Sequence, residues 1–117
     1  MVETAPVIAA DIGGTHSRLS LISRADRTAQ PLNVRKYHKF RNAEYSGLIE
    51  ILDEFLTDVD CKTIRAAAIA SAGYFVGDDL IAANLPWRVS LADIRKRLGL
   101  NAICGINDFV AVAYGTL

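Results

Sequence analysis

The sequence lacks an excess of charge of either sign. Its 117 residues include 13 basic and 13 acidic side chains, so the formal net charge at pH 7 is zero. Proteins that bind nucleic acid usually show a basic excess, and we therefore expect no nucleic-acid partner. A small phosphate ligand remains allowed, because backbone amides alone can bind one small anion.

The chain also lacks a hydrophobic run long enough to span a bilayer. The longest apolar stretch, residues 66–76, is interrupted by Ser71 and Gly73 and is shorter than the roughly 20 residues of a membrane helix. The N-terminus has no basic start of the kind found in signal peptides. We expect a soluble, cytoplasmic protein with no membrane partner.

Cysteine is scarce. Cys61 and Cys104 are the only two, and they form neither a CxxC motif nor a set with histidine at zinc-like spacing. Two reduced thiols are the simpler interpretation, and no protein-held metal is predicted. What the chain does have is 51% apolar residues, enough to fill the core of one domain of this length.

Hydrophobic periodicity predicts a mixed α/β layer fold in which helices cover a sheet. Alternating or continuous apolar runs predict the strands, and apolar residues at steps of three and four predict the helices. The predicted strands are 7–10, 18–22, 33–40, 64–70, 80–83 and 102–106, and the predicted helices are 44–59, 91–98 and a last one from 109. The third strand alternates apolar and polar residues, so we expect it at a sheet edge.

The segment Asp11-Ile12-Gly13-Gly14-Thr15 lies at the bend between the first two strands. A hairpin turn alone would explain the two glycines, since both could take positive φ. It would not explain an aspartate at the end of an apolar strand, where burying a charge is costly. A metal–phosphate ligand would explain the aspartate together with the rest of the segment, because glycine amides and the Thr15 hydroxyl can donate to phosphate oxygens.

A second acidic residue, Asp108, follows another apolar strand at the start of the last predicted helix. Its position alone favours a helix N-cap, and a catalytic base that takes a proton from a hydroxyl is the alternative. Asn107 is either a polar corner residue or an amide that binds sugar hydroxyls. Asn84 has the same two interpretations, and Trp87 is predicted to belong to the core rather than to stack on a ligand.

Four stretches together resemble the bacterial glucokinases, members of the sugar kinase, Hsp70 and actin superfamily. The phosphate loop of that family is similar to residues 11–19, and its small-residue strand and sugar-site loop are similar to residues 67–73. Its Asn-x-x-Trp loop matches Asn84-Leu85-Pro86-Trp87, and its Ile-Asn-Asp-Phe-x-Ala segment matches residues 106–111. The resemblance implies a ribonuclease H-like mixed sheet with flanking helices, the actin-like ATPase domain.

The resemblance also implies roles for individual residues. Asp108 corresponds to the general base that deprotonates the 6-hydroxyl of glucose, and Asn107 and Asn84 to sugar-binding residues. Asp11 corresponds to the residue that places Mg²⁺ through water. Ile12, Gly13, Gly14 and Thr15 correspond to the nucleotide-binding turn. Glucose, ATP and Mg²⁺ are thus the implied ligands, and a homodimer remains an open alternative.

The sequence departs from the family pattern in three places and in length. Ala10 stands where many relatives have glycine, His16 where asparagine is frequent, and the sugar-site loop at Ala72-Gly73-Tyr74 lacks a common proline. Residues 1–117 correspond to the N-terminal small domain of a two-domain enzyme. Alone, that domain is expected to be inactive, marginally stable and prone to self-association. Kinases of other hexoses or N-acetylhexosamines, and a non-catalytic sugar-sensing regulator, are the alternatives.

Overall fold

The computed structural model describes residues 5–23 and 33–107. Its larger sheet has five strands: β1 (Val7–Ile12), β2 (His16–Ser23), β3 (Asn33–Arg41), β4 (Ala66–Ser71) and β8 (Ala102–Asn107). Their order is β3-β2-β1-β4-β8. The first three strands form an antiparallel meander, while β4 and β8 run parallel to β1.

Side-chain alternation explains which face of this sheet is buried. In β2, Ser17, Leu19 and Leu21 are buried on one face. The corresponding residues of β1 and β4 are also buried: Ile8, Ala10, Ile12, Ala67, Ile69 and Ser71. Strand residues point to opposite faces in turn, so these side chains form one continuous apolar layer. The opposite face carries small or exposed side chains such as Ala9, Ala68 and Asp11.

Two helices contribute further residues to the core. α1 (Leu48–Phe55) buries Leu48, Ile51, Leu52 and Phe55, and α2 (Leu91–Leu98) buries Leu91 and Ile94. The Ser90 hydroxyl accepts a hydrogen bond from the Asp93 amide at the start of α2. Gly99 ends the helix with a left-handed φ of 67°, the conformation that glycine tolerates best.

A second, three-stranded sheet lies between β4 and α2 in the chain. It consists of β5 (Tyr74–Val76), β6 (Asp79–Ile81) and β7 (Val89–Ser90), all antiparallel. Phe75 of β5 packs directly on β8, since a Cβ added at Gly105 would lie 2.5 Å from its ring. This contact fixes the small sheet against the end of the large one.

The main predictions of the sequence are confirmed, with corrections at element boundaries. β3 is an edge strand, as its alternation indicated. The helix predicted over 44–59 is shorter, because the chain forms a separate 3-10 turn at Asn42–Glu44 and Gly47 caps α1. The strand predicted at 80–83 is only one part of the second sheet, and β5 and β7 were not predicted. The helix predicted from 109 lies outside the described residues.

Among the helices of residues 5–23 and 33–107, none is long and apolar enough to cross a membrane.

Candidate functional site

The carboxyl ends of the three parallel strands lie side by side. Ile12 of β1 is in register with Ser71 of β4, and Ser71 is in register with Asn107 of β8. Asp11 lies near the end of β1 and Asp108 follows β8 in the chain, so the position of the site depends on these two strands. They are parallel but not adjacent, because β4 separates them and puts β1 and β8 two strand spacings, about 10 Å, apart. Asp108 itself lies outside the described residues.

The turn between β1 and β2 spans Gly13, Gly14 and Thr15 and is closed by a hydrogen bond of 2.8 Å from the Gly13 amide to the His16 carbonyl. Within the described residues, only Gly77 and Gly99 are glycines with a left-handed φ. The explanation that Gly13 and Gly14 are there for a left-handed φ is therefore wrong. Gly14 is required for another reason, since an added Cβ would lie 2.9 Å from the Cβ of Asn84.

Asn42 holds this turn through hydrogen bonds to its carbonyl groups. Its side chain is 1% exposed, and its Nδ2 donates to the Gly13 carbonyl at 2.7 Å and to the Gly14 carbonyl at 3.2 Å. Its backbone amide donates to the Thr15 carbonyl at 2.9 Å. Its Oδ1 accepts a hydrogen bond of 2.7 Å from the buried Ser17 hydroxyl.

The loop after β4 is fixed from β8. The Nδ2 of Asn107 donates to the Gly73 carbonyl at 2.8 Å and to the Ala72 carbonyl at 3.2 Å. The buried Ser71 hydroxyl accepts from the Gly73 amide at 3.2 Å. The sugar-binding role of Asn107 stays a prediction, and what its amide nitrogen does here is hold the loop that resembles the family's sugar-site loop.

One cavity joins the turn to this loop. It has a volume of about 270 Å³ and is bounded by the Gly13–Gly14 turn, the Ser71–Gly73 loop and the segment that carries Asn84. Of the predicted site residues, the structure therefore brings Ile12, Gly13, Gly14 and Asn84 to one place. Asp11 and Thr15 are exposed nearby, next to these lining residues in the chain.

Positive charge surrounds His16 on the strand after the turn. His16 faces Arg41 across β2 and β3, and Arg18 faces Lys39. Desolvation and the charges of Lys39, Arg18 and Arg41 lower the pKa of His16 below its usual value. Protonated His16 is thus disfavoured, and the cationic character of this patch resides in the lysine and the two arginines.

Trp87 belongs to the core, as predicted. It is partly buried against the hydrophobic cluster, and its indole N–H donates to the Asn42 carbonyl at 3.3 Å. The tryptophan therefore connects the Asn84 segment to the residue that holds the glycine turn.

Comparisons with known proteins agree with this geometry. The family model described as Glucokinase matches residues 8–117. The chain belongs to the glucokinase family. A "Glucokinase-like protein" of Xylella fastidiosa strain Temecula1 is 40% identical over 110 residues, covering 93% of this chain and 32% of that protein. A "Glucokinase" of Nostoc punctiforme is 32% identical over 109 residues, covering 93% of this chain and 31% of the relative.

A solved structure extends the comparison to the fold. The crystal structure of glucokinase from an Antarctic psychrotroph superposes with a TM-score of 0.79 at 29% identity, covering 94% of this chain and 34% of that one. The described fold is that of the glucokinase family, an actin-like ATPase fold with a mixed five-stranded sheet and helices. The chain spans about a third of the length of these relatives.

The residues present fit a metal–phosphate ligand of the kind that glucokinase-family enzymes use. Gly14 is exposed and lines the cavity, and Asp11 is an exposed residue at the strand end. Among the described residues there is no group of three or more His, Cys, Asp or Glu side chains that could hold a metal. Mg²⁺ usually binds through one or two carboxylates, water and substrate phosphates.

Sequence reasoning missed Asn42 and Ser17. Ser17 could have been noticed, because it occupies the apolar face of β2 that Leu19 and Leu21 define. A polar residue at such a position needs a hydrogen-bond partner. Asn42 gave no comparable signal, since its contacts with the turn join residues 25 to 29 positions apart.

Proposed function

We propose that this chain is the N-terminal small domain of a two-domain sugar kinase that transfers the γ-phosphate of ATP to the 6-hydroxyl of glucose. The observation that carries the proposal is the 270 Å³ cavity bounded by both the glycine turn and the Ser71–Gly73 loop. Because the glycine turn borders the same cavity as the loop that resembles the family's sugar site, this observation supports the proposal. Family membership and the relatives named glucokinase support the same reaction class.

In this proposal the glycine turn would bind the phosphates of ATP through backbone amides, and Asp11 would hold Mg²⁺ through water. The metal would neutralise phosphate charge as it develops during transfer. Asn84 and Asn107 contribute amide groups to the sugar side. The position of the sugar next to the phosphate accounts for much of the rate enhancement, because phosphoryl transfer depends chiefly on positioning and electrostatic stabilisation.

Asp108 is the proposed general base. Its carboxylate takes the proton of the sugar 6-hydroxyl while the hydroxyl oxygen forms a bond to the γ-phosphorus. The bond from that phosphorus to the oxygen it shares with the β-phosphate breaks, and ADP leaves with the electron pair. The helix-cap interpretation of Asp108 is compatible with this role, since a carboxylate has two oxygens.

The test uses the full-length protein that contains this chain. ATP-dependent phosphorylation of glucose, mannose, fructose and N-acetylglucosamine is compared, with glucose expected to give the highest kcat/KM. Asp108→Asn should lower kcat by about 100-fold or more, the usual contribution of a general base, and Asp11→Ala should raise the KM for Mg·ATP. Asp93→Asn, on the exposed first turn of α2, serves as the matched carboxylate control.

Three outcomes would contradict parts of the proposal. Wild-type kcat in Asp108→Asn would leave that residue only a cap. Unchanged ATP kinetics in Asp11→Ala would remove it from the phosphate site. A higher kcat/KM for another hexose or for N-acetylglucosamine would move the enzyme to the alternative substrate class.

A further inference from the structure

Three successive carbonyl groups of the glycine turn converge on one residue. The carbonyls of Gly13, Gly14 and Thr15 all accept hydrogen bonds from Asn42, at 2.7, 3.2 and 2.9 Å. The first two bonds come from the side-chain amide and the third from the backbone amide. One residue therefore orients every peptide carbonyl between Gly13 and His16.

This convergence determines where the turn amides point. A trans peptide directs its carbonyl and the following N–H to opposite sides, and the described residues include no cis peptide. With the Gly13 and Gly14 carbonyls facing Asn42, the amides of Gly14 and Thr15 face away from it. Both residues are exposed, and within residues 5–23 and 33–107 the hydrogen bonds of the turn leave these two amides without an acceptor.

The turn lacks the left-handed glycine of the commonest hairpin loops. Two-residue hairpin loops most often form type I′ or II′ turns, which require a left-handed φ at the first loop residue. Neither Gly13 nor Gly14 is among the glycines with left-handed φ in the described chain. Besides the local hydrogen bond from the Gly13 amide to the His16 carbonyl, the turn is held by contacts from Asn42, almost 30 residues further along the chain.

The orientation of the Asn42 amide is itself determined. Two carbonyl oxygens lie against one end of the side chain, so that end must be the NH₂ group. The Ser17 hydroxyl donates to the other end. Ser17 is 0% exposed and Asn42 1%. Neither side chain needs a water molecule as a hydrogen-bond partner, because each has protein partners. The described chain holds no buried side-chain nitrogen or oxygen that lacks a hydrogen-bond partner.

We propose that Asn42, oriented by Ser17, is a positioning residue for the phosphoryl donor. By drawing three carbonyls inward it turns the Gly14 and Thr15 amides outward as a preformed anion-binding surface. Asn42 itself touches no ligand in this proposal. The inference rests on the proposed function, because it concerns the affinity of that same turn for phosphate.

The experiment compares three variants of the full-length protein. Asn42→Ala removes both side-chain hydrogen bonds to the turn. Asn42→Asp keeps the volume but replaces the donor with a carboxylate facing two carbonyl oxygens. Ser17→Ala keeps the Asn42 donor and removes only the group that orients it. Leu52→Ala is the matched control, since Leu52 is equally buried but lies in α1, outside the turn.

Asn42→Ala should raise the KM for Mg·ATP by about tenfold, the effect of losing a buried hydrogen bond. Asn42→Asp should raise it at least as much, and Ser17→Ala less. The KM for glucose should rise less than the KM for ATP in every case. Amide hydrogen exchange at Gly14 and Thr15, measured with and without Mg·ADP, gives a readout independent of turnover. Nucleotide should protect both amides in the wild type and protect them less in the Asn42 variants.

Equal increases of the two KM values, or an ATP effect in Leu52→Ala as large as that in Asn42→Ala, would overturn the inference by reducing Asn42 to a stability role. Retained nucleotide protection in Asn42→Asp would do the same. If the Asn42 variants fail to fold, Ser17→Ala decides, and unchanged ATP KM in that variant counts against the proposal. A wild-type protein that binds no Mg·ADP contradicts the proposed function instead, so the two failures are distinguishable.

Discussion

Replacing Gly73 with alanine tests whether close backbone contact shapes the proposed sugar-site loop. Gly73 lies against the end of β6, and an added Cβ would come within 2.8 Å of the Ala82 Cβ and still closer to the Ile81 carbonyl oxygen. One of these neighbours is backbone, so the contact cannot be relieved by turning a flexible side chain. The loop or the β6 end must move.

The expected cost follows from overpacking. Adding one methyl group to a tightly packed site costs about 1–3 kcal/mol, and the lower entropy of the unfolded alanine variant returns about 0.4–1 kcal/mol. We therefore expect Gly73→Ala to lower the free energy of unfolding by about 1–2 kcal/mol. Gly47→Ala is the control, because an added Cβ there meets nothing within 4 Å and the backbone is extended.

Equilibrium urea unfolding of the full-length protein, followed by circular dichroism, measures both variants. Gly47→Ala should stay within about 0.5 kcal/mol of wild type, since a slightly poorer helix cap offsets the entropic gain. The double variant Gly73→Ala with Ala82→Gly should recover part of the loss, because it removes the methyl group of one of the two neighbours. A Gly73→Ala midpoint equal to wild type, or no recovery in the double variant, would refute the close contact.

Two further substitutions test contacts away from the site. The hydrogen bond from Tyr45 to Glu54, followed by desolvation and nearby acidic charge, raises the pKa of Tyr45 to about 12. The contribution of this hydrogen bond to stability is complete below pH 10 and is lost as pH rises towards 12. In thermal melts, the melting temperature of Tyr45→Phe should therefore fall less at alkaline pH than that of the wild type. Equal dependence would contradict the pKa shift. Ser90→Ala should cost about 0.5–1 kcal/mol by removing the cap of α2, and urea unfolding should show no such loss in Ser46→Ala.

The sequence predicted the layer architecture because its signals are local. Alternation in β2 and β3 and the apolar stripe of α1 depend on residues close in the chain, and Ser90 and Gly99 mark the ends of α2 by their own chemistry. The second sheet was not predicted as such. Its strands have two or three residues each, too short for a period of two to be recognised.

The candidate site likewise has features that the local sequence indicates and features that depend on tertiary contacts. Asp11, Gly13 and Gly14 were predicted as site residues because a carboxylate and paired glycines at a strand end depart from an apolar pattern, and that role stays a prediction. The physical reason for the glycine at position 14 could not be found, because it depends on the approach of Asn84, 70 residues further along the chain. The sequence shows that position 14 is a glycine, and the tertiary contact with Asn84 explains why a larger residue does not fit there.

Asn42 shows the limit of motif reasoning for such a turn. A glycine pair supplies amides without side chains in the way, but flexibility alone leaves those amides pointing in many directions. An anion site needs them held in one direction before the ligand arrives, because ordering them on binding would reduce affinity. In this chain the order comes from Asn42, a buried residue outside the turn. Its side-chain amide donates to the carbonyl groups of the same peptides and so fixes their orientation. The glycines permit the conformation of the turn, and in the proposed role Asn42 selects it.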